Sequence, residues 1–116
     1  MKPKPINNRV TEMTGVDYPI LQAPMGWIAR AKLASAVSNS GAMGIIETSS
    51  GEFDAIQNEV RKMHEMTDKP FGMNVALAFV KGTNVIDFVI EQGIKFVTTS
   101  SGSPDLCTSV FQEAGI

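Results

Sequence analysis

One pattern recurs along this 116-residue chain: the end of a helical stretch, a Gly, a short apolar run, then a Ser/Thr-rich turn closed by another Gly. It appears as Ser40-Gly41 followed by Ile45-Ile46-Glu47-Thr48-Ser49-Ser50-Gly51, and again as Gln92-Gly93-Ile94 followed by Val97-Thr98-Thr99-Ser100-Ser101-Gly102. A third copy begins at Glu113-Ala114-Gly115-Ile116. Strand starts spaced about 25 residues apart match the size of one strand-plus-helix unit. Strands joined through helices pair in parallel, because a parallel crossover needs a dozen or more residues. The class is therefore α/β with a parallel sheet.

The units can be placed from punctuation and periodicity. Pro19–Pro24, hemmed in by prolines, is too short for a helix and reads as a buried strand. A helix follows from Arg30 to Ser40, with Leu33, Ala34 and Val37 at helical spacing and Gly41 as its stop. Met43–Thr48 reads as the second strand. Glu52–Met66 is the most amphipathic segment, with Phe53, Ile56, Val60 and Met63 on one face. Pro70–Ala76 is the third strand, Asn84–Gln92 a helix carrying Val85, Phe88 and Val89, and Ile94–Thr99 the fourth strand. Ser103-Pro104-Asp105 has the form of a helix start, with Ser at the cap and Pro at the first helical position, and that helix runs to about Glu113.

Two architectures are built from such units. An open doubly wound sheet that binds dinucleotides carries Gly-x-Gly-x-x-Gly after its first strand. Here that position reads Met25-Gly26-Trp27-Ile28-Ala29, with a single Gly. The closed eight-unit barrel needs roughly 250 residues, about twice this length. The expectation is the N-terminal half, about four βα units, of a TIM-type (β/α)8 barrel, with residues 1–116 ending before a fifth strand.

Composition narrows the partners. Ten Lys plus Arg against twelve Asp plus Glu leave a net charge of −2, with no basic excess to draw a phosphate backbone. No stretch approaches the roughly 20 apolar residues of a membrane span. The N-terminus runs from Met-Lys-Pro-Lys-Pro into Asn7, Asn8 and Arg9 with no apolar core, unlike a signal peptide. Cys107 is the only cysteine, so an internal disulfide is impossible. These features fit a cytoplasmic chain with a small-molecule ligand, no nucleic-acid partner and no membrane partner.

In either architecture the functional surface lies at the C-terminal ends of the strands. Gln22–Gly26, Glu47–Gly51, Asn74–Ala76 and Thr98–Ser103 fall there. They offer amides and hydroxyls without a cationic cluster or a His, which suits a polar heterocycle or a phosphate but supplies no general base. Asn74 could donate and accept at a ring edge, or simply hold a turn. Met25 and Trp27 could be core, shield or cofactor wall. His64, the only histidine, lies on the polar face of the amphipathic helix and reads as a surface residue. Cys107, without an acid–base partner nearby in sequence, reads as a structural thiol. No Cys/His spacing suggests a metal.

The segment Thr11–Trp27, read as TEMTGVDYPILQAPMGW, resembles the opening of the nitronate monooxygenase family, the former 2-nitropropane dioxygenases. The likeness continues through Ser38–Ile46, Thr67–Val75 and Phe96–Pro104, in the family's order and over nearly the whole chain. It implies a TIM-type barrel with FMN across its C-terminal mouth, lined here by Ala23, Pro24, Met25 and Asn74. The implied activity is oxidation of alkyl nitronates by molecular oxygen. The related flavin-dependent enoyl-acyl-carrier-protein reductases, which use NAD(P)H, share the scaffold, and Gln22-Ala23-Pro24-Met25 is closer to the nitronate branch. In the family the catalytic histidine follows a Gly-rich stretch on a later strand and the flavin phosphate sits after the seventh and eighth strands. His64 does not match that motif, so no catalytic residue is assigned within this chain. A half-barrel alone is expected to be inactive. Its unpaired edges would let it associate with a second copy.

Overall fold

The computed structural model describes all residues, Met1–Ile116. A three-stranded parallel sheet runs in chain order: β1 (Gly44–Ile46), β2 (Phe71–Ala76) and β3 (Val97–Ser100). The helices are α1 (Arg9–Thr14), α2 (Ala31–Ser40), α3 (Phe53–Met66), α4 (Asn84–Glu91) and α5 (Thr108–Glu113), with a 3₁₀ turn at Pro104–Leu106. Neighbouring strands are neighbours in sequence, which departs from the 2-1-3-4 order of a flavodoxin-type open sheet.

The first expected strand contracts to a single parallel bridge, Leu21 with Met43. The Gln22 N–H donates to the Met43 carbonyl at 3.0 Å and the Met43 N–H to the Ile20 carbonyl at 2.9 Å. Beyond them the backbone ladder is replaced by a side chain. Gln22 Oε1 accepts the Ile45 N–H at 3.1 Å, and Gln22 Nε2 donates to the Ile45 carbonyl at 3.2 Å. A proline two residues on, with no N–H of its own, could not have continued the ladder.

Other boundaries also move. The fourth expected strand starts at Val97 instead of Ile94. Gly93 takes φ 67°, and the Ile94 N–H still closes on the Val89 carbonyl of the preceding helix. The last helix splits into a 3₁₀ turn, where Ser103 Oγ accepts the Asp105 N–H, and a short α5. The additional helix α1 was not expected from periodicity. It is specified locally by a capping box, in which Asn8 Oδ1 accepts the Thr11 N–H and Thr11 Oγ1 accepts the Asn8 N–H.

The main core lies between the sheet and the helices. Ile46, Met73 and Val75 meet Ile56, Val60 and Met63 of α3 and Val85, Phe88 and Val89 of α4. The expected apolar face of α3 is the buried one. In α2 the buried face is instead Ala31, Ala34, Ser35 and Ser38, while Leu33 and Val37 are half-buried. Small residues let α2 approach the sheet closely. On the opposite sheet face Val16, Met43 and Ile45 form a smaller cluster against Phe96. No helix is long and apolar enough to cross a membrane.

Candidate functional site

Four connections meet at the C-terminal ends of the strands, and polar side chains stitch them together. Thr48 Oγ1 accepts the Ala76 N–H at 2.8 Å, joining the end of β1 to the end of β2. The Leu77 N–H donates to the Ser100 carbonyl at 2.9 Å, joining β2 to β3. Gly26 lies against the turn after β1, where an added Cβ would stand 3.1 Å from Ser49 Oγ.

Asn74 sits on β2 opposite Thr98 of β3 and is buried. Its Nδ2 donates to Thr98 Oγ1 at 2.9 Å and reaches the Thr98 carbonyl at 3.3 Å. Its Oδ1 accepts from Ser100 Oγ at 3.1 Å. Side chains two apart on a strand share a face, so Asn74, Thr98 and Ser100 form one uncharged polar group on the face away from α3 and α4. These contacts set the amide's rotamer and leave an acceptor lone pair on Oδ1. Ala23, Pro24 and Met25 follow the Leu21 bridge and are exposed, with bare backbone around a fixed proline. The Ala23 carbonyl already accepts from Gln22 Nε2 at 2.6 Å.

Glu47, placed among the strand-end residues from the sequence but given no role there, is engaged through both carboxylate oxygens. It is fully buried at the end of β1. Oε1 accepts from Arg30 Nε at 3.2 Å and from the Trp27 N–H at 3.3 Å, and Oε2 accepts from the Ser50 N–H at 2.9 Å. Arg30 reaches past it to Glu52 at 2.6 Å. That bond with Glu52, opposed by desolvation and helped by Glu47, raises the Arg30 guanidinium above its ordinary value. Glu52 is correspondingly lowered, by Arg30 first and then by the Trp27 side chain. The signal was present: an acidic residue closing an apolar run, with an arginine one unit earlier.

A cavity of about 400 Å³ opens between the connections after β1 and β2, lined by Thr48, Phe53, Phe79, Lys81 and Asn84 among others. None of Ala23, Pro24, Met25 or Asn74 lines it. His64 is exposed near the end of α3, its ring 5.4 Å from that of Phe71 at the start of β2, and so stands at the other end of the sheet. Cys107 is buried, and burial pushes its thiol up. No cluster of three or more His, Cys, Asp or Glu side chains is placed to hold a metal ion.

Residues 7–99 match the family described as nitronate monooxygenase. The chain is 29% identical, over 91% of its length, to a (3aS,4S,5R,7aS)-5-hydroxy-7a-methyl-1-oxo-octahydro-1H-indene-4-carboxyl-CoA dehydrogenase of Mycobacterium tuberculosis, covering 30% of that protein. It is 37% identical, over 59% of its length, to a probable nitronate monooxygenase of Staphylococcus aureus, covering 19% of it. The solved structure of FabK from Thermotoga maritima superposes with a TM-score of 0.86 at 31% identity, covering 95% of this chain and 35% of that one. The chain thus spans about a third or less of the length of these relatives.

Proposed function

The chain belongs to the nitronate monooxygenase family, and from that premise we propose that it is the flavin-lining N-terminal part of an FMN-dependent oxidoreductase. On this reading the residues form about four βα units of a TIM-type barrel, and the intact parent oxidises alkyl nitronates with molecular oxygen. The observation that carries the reading is the meeting of Asn74, Thr98 and Ser100 at the same strand ends as the exposed Ala23–Met25 segment. An amide flanked by hydroxyls, with no cation among them, fits the neutral heteroatom edge of a flavin ring. FMN, when bound, supplies the redox chemistry. The chain's own part is to bind and orient. Pro24 fixes the strand end so that backbone can approach a flat ring, the Met25 thioether adds polarisable apolar contact, and Asn74 holds a hydrogen-bonding position preset by β3.

A second reading, acyl-thioester chemistry at the same site, is favoured by the carboxyl-CoA dehydrogenase, whose match runs over 91% of this chain where the nitronate monooxygenase match runs over 59%. Purified chain and purified longer parent are assayed for bound flavin, for nitronate-dependent oxygen uptake and for NAD(P)H-dependent turnover of an acyl thioester. A colourless parent overturns the flavin reading. A flavin-loaded parent that consumes oxygen only with nitronate selects the first activity, and one that turns over only the thioester selects the second. A yellow and active 116-residue chain would show that the remainder of the barrel is dispensable.

A further inference from the structure

Trp27 has φ 62°, in the left-handed region that bulky side chains avoid. Such a conformation persists only where the surroundings over-determine it. Burial of the indole is not that constraint, because Trp27 is 64% exposed and its side chain reaches only the exposed Glu52. The constraint falls on the backbone. The Trp27 N–H donates to Glu47 Oε1, and the same oxygen takes Arg30 Nε, while the Glu47 N–H donates to the Ala29 carbonyl at 2.9 Å. The buried carboxylate thus holds the connection at Trp27 and at Arg30, the Glu47 backbone holds it at Ala29, and the second carboxylate oxygen ties it to Ser50 in the next connection.

We propose that Glu47 is a positioning residue: its carboxylate holds Trp27 in the left-handed conformation and thereby fixes the Ala23–Met25 edge at the strand mouth. The role needs an acceptor on both oxygens. An amide of the same shape would turn an NH2 group toward Arg30 Nε and the Trp27 N–H, or toward the Ser50 N–H, placing donor against donor. The alternative is that the local turn alone sets Trp27, since the Ile28 and Ala29 N–H groups both reach the Met25 carbonyl. Only the last clause of the proposal, the edge offered to a flavin, rests on the function proposed above.

Trp27 is the only tryptophan, so its fluorescence reports this connection without labelling. In Glu47→Gln, acrylamide quenching of Trp27 is expected to rise about twofold and its anisotropy to fall, with far-UV circular dichroism unchanged. Unaltered quenching and anisotropy in a folded Glu47→Gln would overturn the proposal. Should that variant not fold, Glu47→Asp decides: its acceptors stand one methylene short of Trp27, so quenching is expected to rise, and unaltered quenching overturns the clamp. FMN titration of the intact parent followed by flavin fluorescence adds a second arm, with about tenfold weaker binding expected in Glu47→Gln and none of that loss in Glu59→Gln. If the wild-type parent takes up no FMN, the flavin-lining reading fails, while the tryptophan measurements still decide the clamp.

Discussion

Gly44 of β1 lies against the backbone of α2 at Ala34, so closely that a Cβ built on Gly44 would overlap the Ala34 carbonyl oxygen. The Gly44 N–H also donates to Ser38 Oγ at 3.1 Å, one turn along the same helix. A helix this near the sheet must present small side chains, and Ala31, Ala34, Ser35 and Ser38 are the residues that α2 buries. Backbone cannot yield as the end of a flexible side chain can. Gly44→Ala is therefore expected to cost about 3 kcal/mol or more, the upper range of overpacking penalties, measured as a fall in the urea midpoint. A variant within about 0.5 kcal/mol of wild type would contradict this packing.

The N-terminus of α2 is capped from another helix. Arg30 provides no side-chain cap, and the Ala31 N–H donates instead to Glu59 Oε2 of α3 at 2.9 Å. Glu59→Ala should cost about 1 kcal/mol, in line with loss of a cap, and lower Tm by roughly 4–8 °C. Lys62, which pairs with the other Glu59 oxygen, is half exposed, so Lys62→Ala should change Tm far less.

Acid should weaken the same contacts. Burial pushes the Glu59 carboxyl up, but Lys62 and the Ala31 N–H outweigh it and hold Glu59 below its usual value of 4.5. Glu52 is held below the same value by Arg30. A carboxyl lowered in the folded state adds stability that is fully present above its unfolded value and is lost as pH falls through the folded one. Thermal denaturation should thus show Tm level just above pH 5 and falling below about 4.5. In Glu59→Ala the fall should be shallower.

Asn74 links stability to the proposed cofactor contact. Asn74→Ala leaves Thr98 and Ser100 without their partner on β2 and should cost about 1–3 kcal/mol in chemical denaturation. It should also reduce the flavin retained by the parent protein on purification. Stability loss with undiminished flavin content would assign Asn74 to the sheet alone.

Cys107 has 0% exposure and a thiol pushed up by burial, so little thiolate is available at neutral pH. Ellman's reagent should react slowly with native protein and promptly in denaturant. Rapid native labelling would place Cys107 outside the core.

The repeated Gly–strand–turn segment, together with helical spacing in Phe53–Met66 and Asn84–Glu91, was enough to specify parallel α/β units and the apolar faces of α3 and α4. Those properties are local, since periodicity and punctuation are carried by neighbouring residues. The site residues Ala23, Pro24, Met25 and Asn74 came from family resemblance, because spacing left Asn74 open to a turn as well as to a ligand. What the chain order could not express is which distant groups satisfy one another. The Gln22 side chain takes over the ladder to Ile45 and shortens the first strand to a bridge. Glu47, unremarkable in a list of acids, becomes a buried acceptor for Trp27, Arg30 and Ser50 only when the connections after two strands are brought together. Periodicity and punctuation placed the main helices and strands and the dry faces of α3 and α4, but not α1, the shortened first strand or the Ala/Ser face that α2 buries. Tertiary structure decided where the polar groups went, because a buried donor or acceptor must find its partner in space and not along the chain.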